Sequence, residues 1–340
     1  MKFRNGRLVA VAAVALTASL GLAACGSDSS GSSGGDSSKA SITFMPKNLG
    51  NPYFDASDSG GKKAVEELGG TYDEVGPDTA TPDGQVSFIN TAAQQGVGAI
   101  VISADDPKAP CSALQQAMSA GTKVVTFDSD TGPSCRDLFI NQASAEGIAK
   151  TQVDLIAKEI GDSGEIAILS AAANATNQNA WIDLMKKDLA DHPKIKLVDT
   201  VYGNDDDQTS FDKTAALLSD HPNLKGIISP TTVGIAAAAR YLDTSSSKGK
   251  VALTGLGTPN QMRKYVKDGT VTSFALWNPS DLGYLAAYAA DALIKGDITG
   301  KEGDTFKAGD LGQYKVGADG EVLLGDPYVF DKSNIDKFKF

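Results

Sequence analysis

The sequence is poor in the side chains on which catalysis most often depends. Its 340 residues include two histidines and three cysteines. His192 and His221 both stand in the tripeptide "DHP", where a helical pattern gives way to a strand. A residue in that position ends a helix near the negative end of the helix dipole. We therefore assign neither histidine a catalytic role.

Motifs for nucleotide binding and for nucleophilic catalysis are also missing. The sequence has no G-x-x-x-x-G-K-[ST] loop, "GLGTPN" lacks the third glycine of a dinucleotide-binding turn, and no nucleophile elbow follows a strand. Asp128 and Asp206 could be paired as a glycosidase acid and base, but no feature of the sequence selects them. We predict no catalytic residue and no cofactor. An extracellular enzyme acting on sugars stays an alternative, which an assay of sugar turnover would test.

Positive charge is scarce and is not clustered. The chain carries 31 Lys and Arg against 42 Asp and Glu, which gives a formal net charge of −11. Because surfaces that bind nucleic acid are basic, this composition argues against DNA or RNA as a partner.

The N-terminus has the pattern of an export signal. Lys2, Arg4 and Arg7 precede an apolar run that ends in "LAAC" at Cys25. Small residues before a cysteine resemble the lipobox of bacterial lipoproteins, so we expect residues 1–25 to end at a lipid-modified Cys25. A plain transmembrane anchor is the alternative. The Gly- and Ser-rich segment 26–40 has little to bury and should be a flexible tether on the outer face of the membrane.

Two cysteines remain after Cys25. Cys111 opens a helical pattern and Cys135 lies in a polar loop after the next strand. An even number of cysteines in an exported protein favours a disulfide between them. Two free thiols are the alternative, and a metal site is disfavoured because no third ligand is nearby in the sequence.

From residue 41 onward, apolar runs rich in β-branched residues alternate with amphipathic helical patterns. The strand candidates include "SITFMP", "AIVISA", "KVVTFDSD", "EIAILSA", "LKGIISP" and "VTSFALWN". Strands that are apolar throughout and separated by helices indicate parallel sheets covered on both faces. We predict an α/β fold with doubly wound sheets, and the number of strands favours two similar domains.

Ligands of doubly wound sheets bind at the carboxyl ends of the strands, so the residues that follow each strand are the candidates. They are acids, amides, a lysine and aromatics: Lys47, Asn51, Tyr53, Phe54, Asp105, Asp128, Asp206, Trp277 and Asn278. Hydroxyl groups of a sugar bind such polar side chains, and the C–H face of its ring packs on an aromatic ring. The mixture therefore predicts a monosaccharide site.

Two parts of this prediction have plain structural alternatives. Tyr53 and Phe54 could both be core residues. The acidic run 205–207 could be a solvated helix N-terminus, favoured by the helix dipole. A calcium loop is disfavoured because the glycine and the closing glutamate of such a loop are missing.

Several segments together resemble one family. "PKNLGNPYFDA", "VVTFDSD", "TNQNAW", "SPTTVGIAAAARYL", "GLGTPNQMRKYVKDGTV" and "FALWNPSDLGYLAAYAADAL" are similar to type I periplasmic binding proteins, the sugar receptors of ABC importers. Within that family the rhamnose-binding and autoinducer-2-binding proteins are most similar. The resemblance implies two Rossmann-like lobes joined by three crossovers near Asn141, Asn278 and residue 306. One lobe would comprise 41–141 and 278–306, and the other 142–277 and 307–340.

The resemblance also implies ligand residues. An autoinducer-2 pocket carried over to this chain would use Lys47, Asp128, Asn177, Gln178, Pro230 and Thr232, and the ribose receptors imply Asn51, Tyr53, Phe54 and Trp277. The sequence departs from the family at Asn177, where the family has Asp, and at Thr232, where it has Ala. Replacing Asp by Asn removes a charged acceptor, which favours a six-carbon sugar.

These features together predict a monomeric, lipid-anchored receptor. It would bind rhamnose or a similar hexose and deliver it to an ABC permease, and autoinducer-2 binding is the alternative.

Overall fold

The computed structural model describes residues 40–340, so the predicted signal, Cys25 and most of the tether lie outside the described residues. The first group of elements is β1 (Ser41–Met45), α1 (Pro52–Glu67), β2 (Thr71–Glu74), α2 (Val86–Gln95), β3 (Ala99–Ile102), α3 (Cys111–Ser119), β4 (Lys123–Phe127) and β5 (Leu138–Asn141).

The next group begins with α4 (Ala145–Ile160). It continues with β6 (Gly164–Ser170), α5 (Thr176–Asp188), β7 (Ile195–Tyr202), α6 (Asp207–Asp220), β8 (Leu224–Ser229), α7 (Thr232–Thr244), β9 (Ala252–Gly255), α8 (Pro259–Lys267) and β10 (Ser273–Leu276). The last elements are α9 (Pro279–Lys295), β11 (Thr305–Ala308), β12 (Gly312–Lys315), β13 (Glu321–Leu323) and β14 (Tyr328–Asp331).

The strands form two main parallel sheets, which confirms the predicted α/β fold with two lobes. The first sheet has the order β13-β5-β4-β3-β1-β2, and the second has the order β7-β6-β8-β9. β10 pairs with β14 in an antiparallel pair, and a bridge between Leu256 and Ala275 connects that pair to the end of β9. The residues of β3 and the apolar residues of β4 are fully buried, as expected of runs covered by helices on both faces.

The chain crosses between the lobes three times. It leaves the first sheet after β5 and returns through the segment between β10 and α9, which packs against α1, β3 and β4. The third crossover is later than the predicted residue 306, because β13 pairs in parallel with β5 through Leu323 and Asn141. The chain therefore stays with the first sheet to Leu323 and reaches the second lobe at β14. The segment 307–323, predicted for the second lobe, belongs largely to the first.

Capping residues fix the first residues of the two helices that approach the interlobe cleft. Asn51 caps α1, accepting a hydrogen bond from the Tyr53 amide at 3.1 Å, and Pro52 occupies the first helical position. Asn278 and Pro279 start α9 in the same way. Each cap fixes the direction in which the chain enters its helix.

Cys111 is the first residue of α3, and Cys135 ends a short turn after β4. Their sulfur atoms lie within bonding distance and their Cα atoms are 5.1 Å apart, which is in the range of disulfides. The pairing agrees in geometry with the predicted disulfide, which stays a prediction until it is measured. Within residues 40–340, no helix combines the length and the apolar character that crossing a bilayer requires.

Candidate functional site

The carboxyl ends of both parallel sheets face one cavity between the lobes. The volume inside it that is available to the centre of a water molecule is about 30 Å³, so the lobes leave a narrow cavity. The lining residues come from both lobes: Lys47, Asn51, Tyr53, Phe54, Asp128, Gln178, Trp181, Asp205, Pro230, Thr231, Thr232, Leu256, Leu276 and Trp277.

Asp128 is the most densely hydrogen-bonded carboxylate of this pocket. One oxygen accepts a hydrogen bond from the Tyr53 hydroxyl at 3.0 Å, and the other accepts from Ser103 at 2.8 Å. Asp128 follows β4 directly and has a left-handed backbone with φ of 59°. Asp tolerates that conformation better than most residues. The turn and the two hydroxyl donors hold the carboxylate rigidly at the pocket wall.

Lys47 joins the two lobes at the polar end of the pocket. Its side chain is buried, and Nζ donates to Oδ1 of Asn177 at 3.2 Å while lying 3.8 Å from a carboxylate oxygen of Asp128. Asn177 also donates its amide to that same oxygen at 3.4 Å. The asparagine is thus both acceptor and donor. An aspartate in its place could accept from Lys47 but would set a second negative charge beside Asp128.

Aromatic rings form a further part of the lining, next to Asp128. Tyr53 packs edge-on against Phe54 with ring centres 5.1 Å apart, and Trp277 is 6.1 Å from both Tyr53 and Trp181. The Trp277 indole donates to the Tyr53 hydroxyl at 2.9 Å. Because that hydroxyl in turn donates to Asp128, the polar atoms of Tyr53 and Trp277 are occupied by the protein. The rings are left to offer apolar surface.

A smaller chamber, with a volume of about 10 Å³ available to the centre of a water molecule, adjoins the pocket at Lys47, and Asp105 and Asp205 both line it. Burial raises the pKa of Asp105 to about 8, an effect that outweighs the nearby Lys47 ammonium and the Thr81 backbone, both of which lower it. Burial also raises the pKa of Asp205, again against Lys47 and against a hydrogen bond from Thr231. This end of the cleft therefore favours protonated carboxyl groups.

Most of the residues predicted from the sequence meet here. Nine of them line the pocket: Lys47, Asn51, Tyr53, Phe54, Asp128, Gln178, Pro230, Thr232 and Trp277. Asn177 contacts Lys47 and Asp128 at the edge of the pocket, and Asp105 lies in the adjoining chamber.

The other two predicted residues, Asp206 and Asn278, line neither the pocket nor the adjoining chamber. Asp206 is exposed and caps α6, where its carboxylate accepts a hydrogen bond from the Thr209 amide at 2.7 Å. Asn278 caps α9, and its side-chain oxygen accepts from Ser280 at 3.1 Å. Both side chains are used for helix capping, which corrects their assignment as pocket residues.

Five residues that line the pocket were missed: Trp181, Asp205, Thr231, Leu256 and Leu276. Trp181 lies four residues after Asn177 in α5, so the two side chains share one face of that helix. That spacing was a usable signal. For the acidic run, the prediction named Asp206 and not Asp205. The left-handed backbone of Asp205, with φ of 50°, cannot be inferred from the sequence.

Metal binding finds no support in the described part of the chain. No group of three or more His, Cys, Asp or Glu side chains between residues 40 and 340 is arranged to hold a metal ion. The pocket is built for hydrogen bonding and ring packing.

Comparisons with known proteins give consistent matches over nearly the whole described chain. Residues 42–298 match the family model of the periplasmic binding protein domain. The structure of a sugar ABC transporter protein from Actinomyces odontolyticus is 54% identical, covers 90% of this chain and 99% of its own, and has a TM-score of 0.73.

Two further solved structures contain ligands. An ABC transporter solute-binding protein from Clostridium phytofermentas with bound L-rhamnose is 42% identical, covers 88% of this chain and 98% of its own, and has a TM-score of 0.85. LsrB from Clostridium saccharobutylicum in complex with AI-2 is 29% identical, covers 88% of this chain and 99% of its own, and has a TM-score of 0.83.

Proposed function

Because this chain belongs to the periplasmic binding protein family, as a sugar-binding protein of an ABC transporter and not an enzyme, we propose that its ligand is a 6-deoxyhexose. L-Rhamnose is the leading candidate. The protein captures the sugar outside the cell and delivers it to the permease.

The combination of polar and apolar residues in the pocket lining carries this proposal. Lys47, Asp128 and Gln178 can offer hydrogen bonds to ring hydroxyls. Phe54, Trp181, Leu256 and Leu276 line the pocket with apolar surface. A methyl group packs on such a surface, whereas a hydroxymethyl group there would bury an unpaired hydroxyl at a cost of about 1–3 kcal/mol. The solved relative with bound L-rhamnose supports the same class of ligand.

The affinity that this proposal requires is reasonable for so small a ligand. A micromolar Kd corresponds to about −8 kcal/mol. Over the roughly dozen heavy atoms of a hexose this is about −0.7 kcal/mol per atom, below the ceiling for the best very small ligands.

AI-2 is the second candidate ligand. It is supported by the 29% identical LsrB structure and by Lys47, Asp128 and Gln178 at the positions carried over from that family. The hydrogen bonds of Asn177 speak against it, because its amide already compensates the Asp128 carboxylate and the family aspartate is absent.

L-Rhamnose and L-mannose form a matched pair for the test, since they differ in one hydroxyl at C6. We expect calorimetry to show L-rhamnose binding near micromolar Kd and at least about tenfold more tightly than L-mannose. AI-2 is measured in parallel. Equal affinity for the two sugars would refute the 6-deoxy preference. Binding of AI-2 alone would favour the second candidate.

We also propose that Cys25 carries a lipid and that the following Gly- and Ser-rich segment is the tether to the membrane. A Cys25→Ser variant should leave the detergent phase in a phase-partition experiment. Unchanged partitioning would contradict the lipid anchor.

A further inference from the structure

We propose that Asp105, which shares a small chamber with Asp205, takes up a proton when the cleft closes, so that sugar affinity depends on pH. This inference rests on the proposed sugar-binding function. The chamber lies beside the sugar pocket, and Asp205 lines both.

The two carboxylates come from opposite lobes. Asp105 follows β3 in the first lobe, and Asp205 precedes α6 in the second. The lobes touch at this point, because the Asn174 amide of the second lobe donates to the backbone oxygen of Asp105 at 3.1 Å. The carboxylates therefore share one chamber only while the lobes are in contact.

Asp105 has few of the partners that a buried carboxylate needs. It is 5% exposed, and no side chain among residues 40–340 donates a hydrogen bond to its carboxylate oxygens. Lys47 and the Thr81 backbone are near enough to lower the pKa of this carboxyl group, but burial raises it by more. Its amide is fixed by Gln85, which accepts the Asp105 N–H at 3.0 Å and donates to the Ser103 carbonyl at 2.7 Å. The backbone is therefore held in place, and the carboxyl group has little freedom to turn towards solvent.

The charges around the chamber are unbalanced. Lys47 supplies one ammonium, which already lies close to Asp128 and Asn177. Asp106 faces Asp105 from the same loop, but its carboxylate accepts hydrogen bonds from the Lys108 and Ala109 amides. Asp105 and Asp205 are left as an acidic pair across the cleft. A proton on Asp105 removes its repulsion with Asp205 and gives the buried carboxyl group a hydrogen-bond donor.

The sign of the pH effect follows from the two states. In an open, hydrated cleft Asp105 should have a pKa near the ordinary value of about 4. In the closed structure burial raises its pKa to about 8. Closure therefore takes up a proton between these values, and affinity falls as pH rises through that window. One whole proton would change the affinity about tenfold per pH unit.

Calorimetry with L-rhamnose at pH 6, 7 and 8, in phosphate and in Tris, measures both the affinity and the protons taken up. We expect the wild-type affinity to fall at least about threefold per pH unit, which corresponds to half a proton. Asp105→Asn should bind with little pH dependence. Asp78→Asn removes the same charge from an exposed position at the cleft mouth and should keep the wild-type pH dependence.

If sugar binding gives the same heat in both buffers and its affinity does not change with pH, the proton linkage is wrong. The proposed sugar-receptor function is unaffected by that result. An equal pH slope in Asp105→Asn would also overturn the proton linkage. If no sugar binds at any pH, the proposed function fails and the proton linkage fails with it, whereas sugar binding without pH dependence overturns the linkage alone.

Discussion

Replacing Asp128 with Asn removes one negative charge from the sugar pocket and changes almost nothing else in size. The carboxylate accepts hydrogen bonds from Tyr53 at one oxygen and from Ser103 and Asn177 at the other. An amide group offers one oxygen and two N–H donors. In either orientation the NH₂ group takes the place of one carboxylate oxygen. The protein donor that bonded to that oxygen then has no acceptor.

The expected loss of sugar affinity follows from the bonds at stake. Hydrogen bonds to charged groups contribute about 1.5–3 kcal/mol, so Asp128→Asn should weaken binding by roughly 10- to 150-fold. Asp128→Ala removes the group entirely and leaves sugar hydroxyls unpaired in a dry cleft. For that variant we expect about 2–4 kcal/mol, or roughly 30- to 1,000-fold.

The two variants differ also in their effect on the fold. The left-handed backbone at residue 128 is tolerated by Asn but costs Ala about 1–2 kcal/mol. Asp128→Ala should therefore lower the free energy of unfolding more than Asp128→Asn does. The affinity loss and the stability loss are separable because unfolding without ligand does not depend on sugar affinity.

Calorimetry with L-rhamnose gives the affinities, and urea unfolding without ligand gives the stabilities. Circular dichroism verifies that both variants keep the α/β fold. If Asp128→Asn binds within about threefold of wild type while folding normally, Asp128 is not a ligand residue. The placement of the site at the carboxyl ends of the strands would then be wrong.

Three further predictions concern the fold. Gly283→Ala should destabilise the protein by about 1–3 kcal/mol in urea unfolding, because its Cβ would lie within overlap of the Ser57 backbone oxygen where α9 packs on α1; unchanged stability would contradict this close packing. Cys111→Ser should cost about 3 kcal/mol through loss of a loop closed over 24 residues, and mass spectrometry that finds two free thiols in unreduced protein would disprove the disulfide. Asp58 is 2% exposed and burial raises its pKa well above the ordinary value, so folding retains a proton and stability falls as pH rises above about 4; unfolding of Asp58→Asn should lack this part of the pH dependence, and parallel curves for the two proteins would be inconsistent with it.

The main strands were predictable because their signal is local. The segments "AIVISA" and "KVVTF" contain continuous apolar and β-branched residues, and β3 and β4 occupy the centre of the first sheet. β13 has three residues and pairs with β5 after a separation of about 180 residues along the chain. No periodicity within three residues can reveal such a partner, and for this reason the third crossover was placed too early.

The chemistry of the site was predictable for a different reason. Polar and aromatic residues that follow buried strands have no core to fill, so they collect at the sheet edge where a ligand binds. Lys47 and Asp128 were found by this rule. Asn278 obeys the same rule but is used as a helix cap, because an Asn before Pro at a helix start accepts the amide two residues later. Sequence position alone does not distinguish a cap from a ligand.

In the acidic run 205–207, the backbone conformation gives three identical side chains different roles. Asn204 and Asp205 both have left-handed backbones, with φ of 56° and 50°, and this turn brings the Asp205 side chain to the cleft, where Thr231 donates to it. Asp206 returns to an extended backbone and caps α6, and Asp207 forms an ion pair with Arg240 on α7. Three identical side chains thus face a ligand pocket, a helix end and a neighbouring helix. Since the residues are chemically the same, only the backbone conformation decides which one serves the site, and a shift of one residue exchanges a pocket carboxylate for a solvent-exposed cap.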